Sequence, residues 1–194
     1  MSCAPRLPTP SRHLPGDLAM WLFILAELSV FALFFALYAV TRYRQPMLFA
    51  TGQAQLPLLS ALVNTLLLIS GSASMAAAVR AFAADQLRRG EHCLLATLAC
   101  GALFVLIKGA EFADKFAAGL TLSSSDFWMF YLSLTFFHFL HVVLGMVIVA
   151  AVWFHARRGA YGAANQAGVE TAAAYWHMVD LVWVVLFALV YVAR

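Results

Sequence analysis

Charged side chains are scarce in this sequence, and their scarcity excludes several classes of protein. Only 11% of the 194 residues are Asp, Glu, Lys or Arg, whereas 64% are hydrophobic and the mean hydropathy is +0.86. Because a soluble domain has about 25% charged residues, this chain has too few charges to cover a surface that faces water. The composition therefore excludes a soluble enzyme, a disordered chain and a nucleic-acid-binding protein, and it predicts that lipid surrounds the chain.

Cysteine is also scarce. The sequence has three cysteines, Cys3, Cys93 and Cys100, and no pair has CxxC spacing. Such a scattered, odd-numbered set does not indicate a disulfide framework or a zinc site. Cys93 and Cys100 are spaced to lie on one side of a helix, and we expect both to be buried free thiols.

Long apolar segments are abundant instead. Five of them reach the length of about 20 mainly apolar residues that a spanning helix needs. We therefore predict an all-α polytopic membrane protein, with a single membrane domain over residues 1–194 that forms a bundle of five transmembrane helices. The first segment is longer than the apolar region of a signal peptide, and no small-residue cleavage site follows it, so we expect a retained span. The predicted tail covers residues 1–16, and the predicted spans cover residues 18–40, 56–80, 92–116, 127–155 and 171–193.

The segments between the spans are short. Residues 41–55 are interpreted as the first connection, and the serines ahead of Asp126 predict an N-cap for the fourth spanning helix. Several aromatic residues fall near the predicted ends of the spans, as interfacial belts require. These aromatic residues are Trp21, Tyr43, Trp128, Tyr131, Trp153 and Tyr191.

The distribution of Lys and Arg predicts the orientation in a bacterial inner membrane. With five spans, one side carries Arg6, Arg12, Arg80, Arg88, Arg89, Arg157 and Arg158. The opposite side carries Arg42, Arg44, Lys115 and Arg194. Since the side richer in positive charge faces the cytoplasm, we expect a cytoplasmic N-terminus and a C-terminus outside.

Ionisable side chains inside the spans need an explanation, because each is costly in lipid. Lys108 and Glu111 are spaced i, i+3 and can form an ion pair, and the alternative is a contact with another subunit or a lipid headgroup. Glu27 has no partner in its own helix. It is either a proton-relay or regulatory carboxyl group, or it forms a hydrogen bond with a polar group of another helix, such as Asn64.

Histidines mark the last two spans. His138 and His141 are spaced i, i+3 in the fourth span, and His177 and Asp180 have the same spacing in the fifth. One interpretation is a single-haem b-type cytochrome, with the haem between His138 or His141 and His177. A second is a small proton or ion transporter. The interpretation that we favour is an interhelical hydrogen-bond network that sets the register of the helices.

Several motifs occur in an order that resembles the haem-copper oxidase subunit III family. The last span reads ETAAAYWHMVDLVW over residues 170–183, close to that family's Glu followed by YWHxVDxVW. The fourth span reads FHFLHVVLG over residues 137–145, which is similar to the family's HxxHVxxG helix. The remaining matches are Ala26-Glu27-Leu28 followed by Phe31, Phe34, Phe35 and Tyr38, Leu58-Leu59 with Asn64-Thr65, and Lys108-Gly-Ala-Glu111-Phe112.

The resemblance extends from about residue 17 to residue 194, and it has consequences for fold and function. It implies the short five-helix form of the family, and residues 125–131 and 175–194 look most like the NorE-type branch associated with nitric oxide reductase. It implies a non-catalytic subunit without haem, copper or another metal of its own. Such a subunit binds phospholipid and supports the stability and proton uptake of a catalytic haem-containing subunit, either oxidase subunit I or the nitric oxide reductase large subunit. The residues expected in its buried polar network, or in contacts with lipid or a partner, are Glu27, Asn64, Lys108, Glu111, His138, His141, Glu170, Trp176, His177, Asp180 and Trp183.

Overall fold

The computed structural model of the protein describes residues 18–193. The predicted N-terminal tail with Cys3, Arg6 and Arg12, and also Arg194, lie outside the described residues. Within the described range the chain forms six α helices and no β strand. The helices are α1 (Leu18–Arg44), α2 (Pro46–Ala54), α3 (Leu58–Ala83), α4 (Leu87–Ala117), α5 (Asp126–Arg157) and α6 (Ala167–Phe187), and α6 continues as a π-helical turn, the C-terminal π turn (Ala188–Val192).

Five helical segments are long and apolar enough to cross a membrane, which confirms the predicted fold class. They are Leu18–Arg44, Leu58–Ala83, Leu87–Ala117, Asp126–Arg157 and Ala167–Val192. Large apolar side chains such as Leu59, Leu106 and Val147 are exposed on the outside of the bundle, as a lipid-facing surface requires. Some helices extend beyond the predicted spans, because a helix continues past its apolar run into the polar interface.

The short helix α2 corrects the interpretation of residues 41–55 as a plain connection. Pro46 stands at the start of α2, where its missing N–H has no cost and its fixed φ suits the first turn. Phe49 and Gly52 are the buried residues of this helix. Phe49 packs edge-on against Phe127 of α5, with ring centroids 5.6 Å apart, so tertiary contact stabilises a helix too short to be stable alone.

The predicted N-cap ahead of the fourth spanning helix is confirmed. The Oγ of Ser125 accepts a hydrogen bond from the backbone N–H of Trp128 at 3.4 Å, and α5 begins at Asp126. Asp126 also places a negative charge at the first turn, where the helix dipole is positive.

The centre of the bundle is a close contact between one tryptophan and three glycines. Helix α6 packs against α1, α3 and α5, and α4 packs against α3 and α5. The buried ring of Trp176 in α6 lies over Gly71 of α3, Gly101 of α4 and Gly145 of α5. A Cβ atom built on Gly101 would lie 2.8 Å from the Trp176 ring, so glycine is needed there for the helices to approach this closely.

The two cysteines in α4 differ from the prediction in their burial. Cys93 and Cys100 are free thiols, as expected, but both are only half-buried. Two residues seven positions apart share one side of a helix, and Cys100 on that side faces Gly71 of α3.

Contacts between the connecting segments join them in two groups, one at each end of the bundle. At one end, the carboxylate of Asp85 between α3 and α4 accepts a hydrogen bond from the backbone N–H of Ala163 between α5 and α6, at 2.7 Å. At the other end, Gln45 donates to Asp126 at 2.7 Å and Lys115 donates to the carbonyl of Gln55 at 3.0 Å. The connections therefore alternate between the ends, as five spans require.

Candidate functional site: a polar network inside the bundle

Lys108 is fully buried, and it is held by three hydrogen bonds. Its Nζ donates to Glu111 Oε1 at 3.0 Å, to the Tyr131 hydroxyl at 3.0 Å and to the Tyr191 hydroxyl at 2.8 Å. The predicted Lys108–Glu111 ion pair is confirmed. The alternative contact with another subunit or a lipid headgroup is wrong, because Lys108 has no exposed surface.

The site around this ammonium group is also rich in aromatic rings. Its Nζ lies between 5.1 and 5.7 Å from four ring centroids, a distance at which cation–π attraction operates. Tyr131 also donates a hydrogen bond to Glu111 Oε1. The rings belong to Phe112, Tyr131, Trp183 and Tyr191, and these together with Lys108 and Glu111 are called the Lys108 cluster below.

Tyr131 and Tyr191 correct a sequence-based expectation. They were expected in interfacial belts, but both are buried, and their hydroxyl groups hold Lys108. One feature of the sequence could have indicated that tyrosine hydroxyl groups bind Lys108. An ammonium group has three N–H donors, and inside a membrane each of them needs an acceptor. Glu111 supplies one acceptor, so the neighbouring spans must supply the others.

Glu27 and His141 form a second pair, between α1 and α5. Glu27 Oε2 lies 3.0 Å from His141 Nε2, and the glutamate side chain keeps 21% of its surface exposed. The other ring nitrogen, Nδ1, donates to the carbonyl of Phe137 at 2.7 Å. With Nδ1 protonated, the Nε2–Glu27 contact holds one further proton, as imidazolium with carboxylate or as imidazole with carboxylic acid. The suggested hydrogen bond from Glu27 to Asn64 is wrong.

His138 and Asn64 are not part of the hydrogen-bonded network. Both are fully buried, and neither the His138 ring nitrogens nor the Asn64 amide atoms have a hydrogen-bond partner within residues 18–193. The imidazole of His138 packs instead against the rings of Trp183 and Phe104, at centroid distances of 5.2 and 5.8 Å. Trp183 therefore contacts both His138 and Lys108, and it donates from Nε1 to Thr65 Oγ1 at 2.9 Å.

The last group lies on the outer side of α6. His177 is exposed, and its Nδ1 lies 2.6 Å from Ser72 Oγ of α3. Asp180 is half-buried, with its Oδ1 enclosed and without a hydrogen-bond partner among the described residues. Glu170, at the first turn of α6, is half-buried and lines the same groove as His177. Trp176 packs against glycines and does not contact these polar groups through a hydrogen bond.

The histidines considered as haem ligands lie in different surroundings. Both nitrogens of His141 are engaged, and aromatic rings of Phe31, Phe104 and Trp183 surround His138. Within residues 18–193, no three His, Cys, Asp or Glu side chains lie close enough together to hold a metal ion. The hydrogen bonds of Lys108 and of the Glu27–His141 pair join neighbouring helices.

The fold and the site together define a multi-pass α-helical membrane protein in which ionisable side chains inside the bundle join four of the five spans, namely α1, α4, α5 and α6 with its C-terminal π turn. Sequence comparison identifies the family within this class. Residues 15–193 match the family model for cytochrome c oxidase subunit III. The chain belongs to the cytochrome c oxidase subunit III family.

Relatives from distant organisms support this assignment. The chain is 33% identical over 183 residues to cytochrome c oxidase subunit 3 of Synechocystis sp., covering 92% of this chain and 77% of the relative. It is 31% identical over 176 residues to the protein of that name from Thermostichus vulcanus, covering 90% and 86%. It is 30% identical over 178 residues to the one from Tragelaphus oryx, covering 89% and 67%.

Proposed function

We propose that the chain is a non-catalytic membrane subunit of a bacterial respiratory complex, either a haem-copper oxidase or a nitric oxide reductase. The observation that carries this proposal is the family match over residues 15–193. The geometry supports it, because the three N–H donors of Lys108 are all used inside the chain. Such a buried cluster stabilises helix packing.

The partner in this proposal is the catalytic haem-containing subunit. It is oxidase subunit I or, for a member of the NorE-type branch, the nitric oxide reductase large subunit. Residues 125–131 support that branch, and they contain both the N-cap of α5 and Tyr131 of the Lys108 cluster. The chain forms one membrane domain in the inner membrane, with its N-terminus in the cytoplasm, and carries no redox cofactor of its own.

The subunit would support its partner in two ways. It binds phospholipid along its apolar outer surface, and it stabilises the catalytic subunit and assists its proton uptake. The Glu27–His141 pair is the group best placed for the second role, because it holds a shared proton and the Glu27 side chain is partly exposed at the edge of the bundle.

The test is isolation of the complex through an affinity tag on this chain, in mild detergent, from membranes of the native organism. We expect a catalytic haem subunit to co-purify, and its identity together with the rates of oxygen and nitric oxide reduction decides between the two complexes. A tagged, unrelated inner-membrane protein is the control. Ion flux through liposomes that contain this chain alone, abolished by Glu27→Gln, would establish the transporter instead.

A further inference from the structure

A groove on the outside of the bundle, between α1, α3 and α6, brings hydrogen-bonding side chains to the membrane surface of the protein. The groove has a volume of about 590 Å³. Its wall is mainly apolar, with Ile24 and Leu28 from α1, Ala76 from α3, and Met178 and Leu181 from α6. His177 lies in this apolar wall and is exposed. We call this surface the α6 groove.

His177 is close to the mid-depth of the membrane. The last span runs over the 26 residues Ala167–Val192, and at 1.5 Å per residue His177 lies about 4 Å from its midpoint. The hydrocarbon core is about 30 Å thick, so lipid headgroups begin about 15 Å from the centre. A headgroup therefore does not reach the imidazole, and acyl chains offer it no hydrogen bond.

The imidazole of His177 has one nitrogen left for a partner. Nδ1 is used by Ser72, but Nε2 has no hydrogen bond within residues 18–193. Ionisable side chains at this depth almost always face protein or a water-filled cavity. The outer position of His177 in the α6 groove thus indicates that another protein surface covers it.

We propose that the α6 groove is the docking site for a transmembrane helix of another subunit, which presents a hydrogen-bonding side chain to His177 Nε2. The inference rests on the proposed function, because it places the chain in a membrane complex. The depth of His177 supports a helix over a lipid, because a headgroup at the membrane surface is too far away to form a hydrogen bond with Nε2.

Two substitutions of His177 separate docking from the internal contact with Ser72. His177→Asn keeps a polar atom near the position of Nδ1 and removes Nε2, whereas His177→Gln places its amide near Nε2. The tagged complex is isolated from native membranes in mild detergent, and the subunit retained with each variant is quantified. Docking predicts that His177→Gln retains the partner and that His177→Asn loses about fivefold, the effect of one interhelical hydrogen bond. The reverse order would assign His177 an internal role and overturn the proposal.

Site-specific photocrosslinking identifies the occupant directly. A benzophenone amino acid replaces Leu181, an exposed residue of the groove, or Leu106, an exposed residue of α4 that does not line it. We expect Leu181 alone to give a crosslink to an apolar helix of another subunit that has a hydrogen-bonding residue within one turn. Crosslinks to phospholipid only, or to a second copy of this chain, would reject the proposal. The haem content of the same preparation reports on the proposed function separately, so haem retained with lipid crosslinks rejects the docking site alone.

Discussion

The Lys108 cluster shows how this protein accommodates a cation within a membrane-spanning bundle. The Lys108–Glu111 pair was predictable from sequence, because i, i+3 neighbours share a helix face whatever the tertiary structure. Tyr131 and Tyr191 were not, because they lie on other helices and a tyrosine near the end of a span is equally typical of an interface.

Lys108→Met is expected to destabilise the protein strongly. The substitution leaves the buried Glu111 carboxylate without its counter-ion, and breaking a buried pair in this way costs about 3–5 kcal/mol. The free energy of unfolding, measured by SDS titration in mixed micelles, should fall by that amount. The double substitution Lys108→Met with Glu111→Gln should recover part of the loss.

Lys115→Met is the matched control, on the same helix. Lys115 donates to the carbonyl of Gln55 at the end of the bundle, and its Nζ lies 5.3 Å from the Trp128 ring centroid. The loss of both contacts should cost about 1–2 kcal/mol, less than the loss of Lys108. Equal effects of the two lysine substitutions would show that the cluster does not stabilise the fold.

The Glu27–His141 pair could not be predicted from the sequence. Glu27 and His141 are 114 positions apart, and pairing them requires the register of α1 against α5, which no local spacing contains. Asn64 was a chemically reasonable partner for Glu27, but it lies on α3, which contacts α4 and α6. The need for a partner was predictable, whereas its identity was not.

At the scale of the helices, close packing around Trp176 brings α3, α4, α5 and α6 together. Gly101→Ala should reduce the free energy of unfolding by about 1–3 kcal/mol, because the new methyl group would lie 2.8 Å from the Trp176 ring. Gly109→Ala on the same helix is the control, because a Cβ there meets no atom within 4 Å. It should be neutral or slightly stabilising. A Gly101→Ala protein as stable as Gly109→Ala would contradict this account of the packing.

Asp85 links two connections at one end of the bundle, and its replacement tests how these are joined. It has a φ of 53°, in the left-handed region that Asp and Asn tolerate, and its carboxylate accepts the Ala163 N–H. Asp85→Ala should accelerate hydrogen exchange of the Ala163 amide at least tenfold, since one hydrogen bond is worth about 1 kcal/mol or more and the alanine backbone is strained. Asp85→Asn keeps an acceptor and the tolerated backbone, so it should have a smaller effect. Unchanged exchange in Asp85→Ala would show that the contact does not hold the two connections together.

Helix α2 explains why the short elements were harder to predict than the spans. Nine residues do not give a clear helical period, and the helix depends on burial of Phe49 and Gly52 against the bundle. The spans were predictable because lipid permits few alternatives to a helix with all its backbone groups paired.

For the whole molecule, the orientation in the membrane that the distribution of Lys and Arg predicts has a direct test. In a variant without native cysteines, Gln45→Cys and Asn165→Cys place single thiols at opposite ends of the bundle. An impermeant maleimide should label Gln45→Cys in intact cells and Asn165→Cys only after the cells are opened. The opposite labelling pattern would invert the predicted orientation.

We propose that this chain serves a haem-containing partner and holds no haem itself. The most direct measurement is the absorbance spectrum of the tagged complex, compared with that of the separated chain, which is expressed without its partners and purified in the same mild detergent. We predict a Soret band in the intact complex and none in the separated chain. A Soret band that remains with the separated chain, and that His177→Ala removes, would contradict the account and establish a cytochrome.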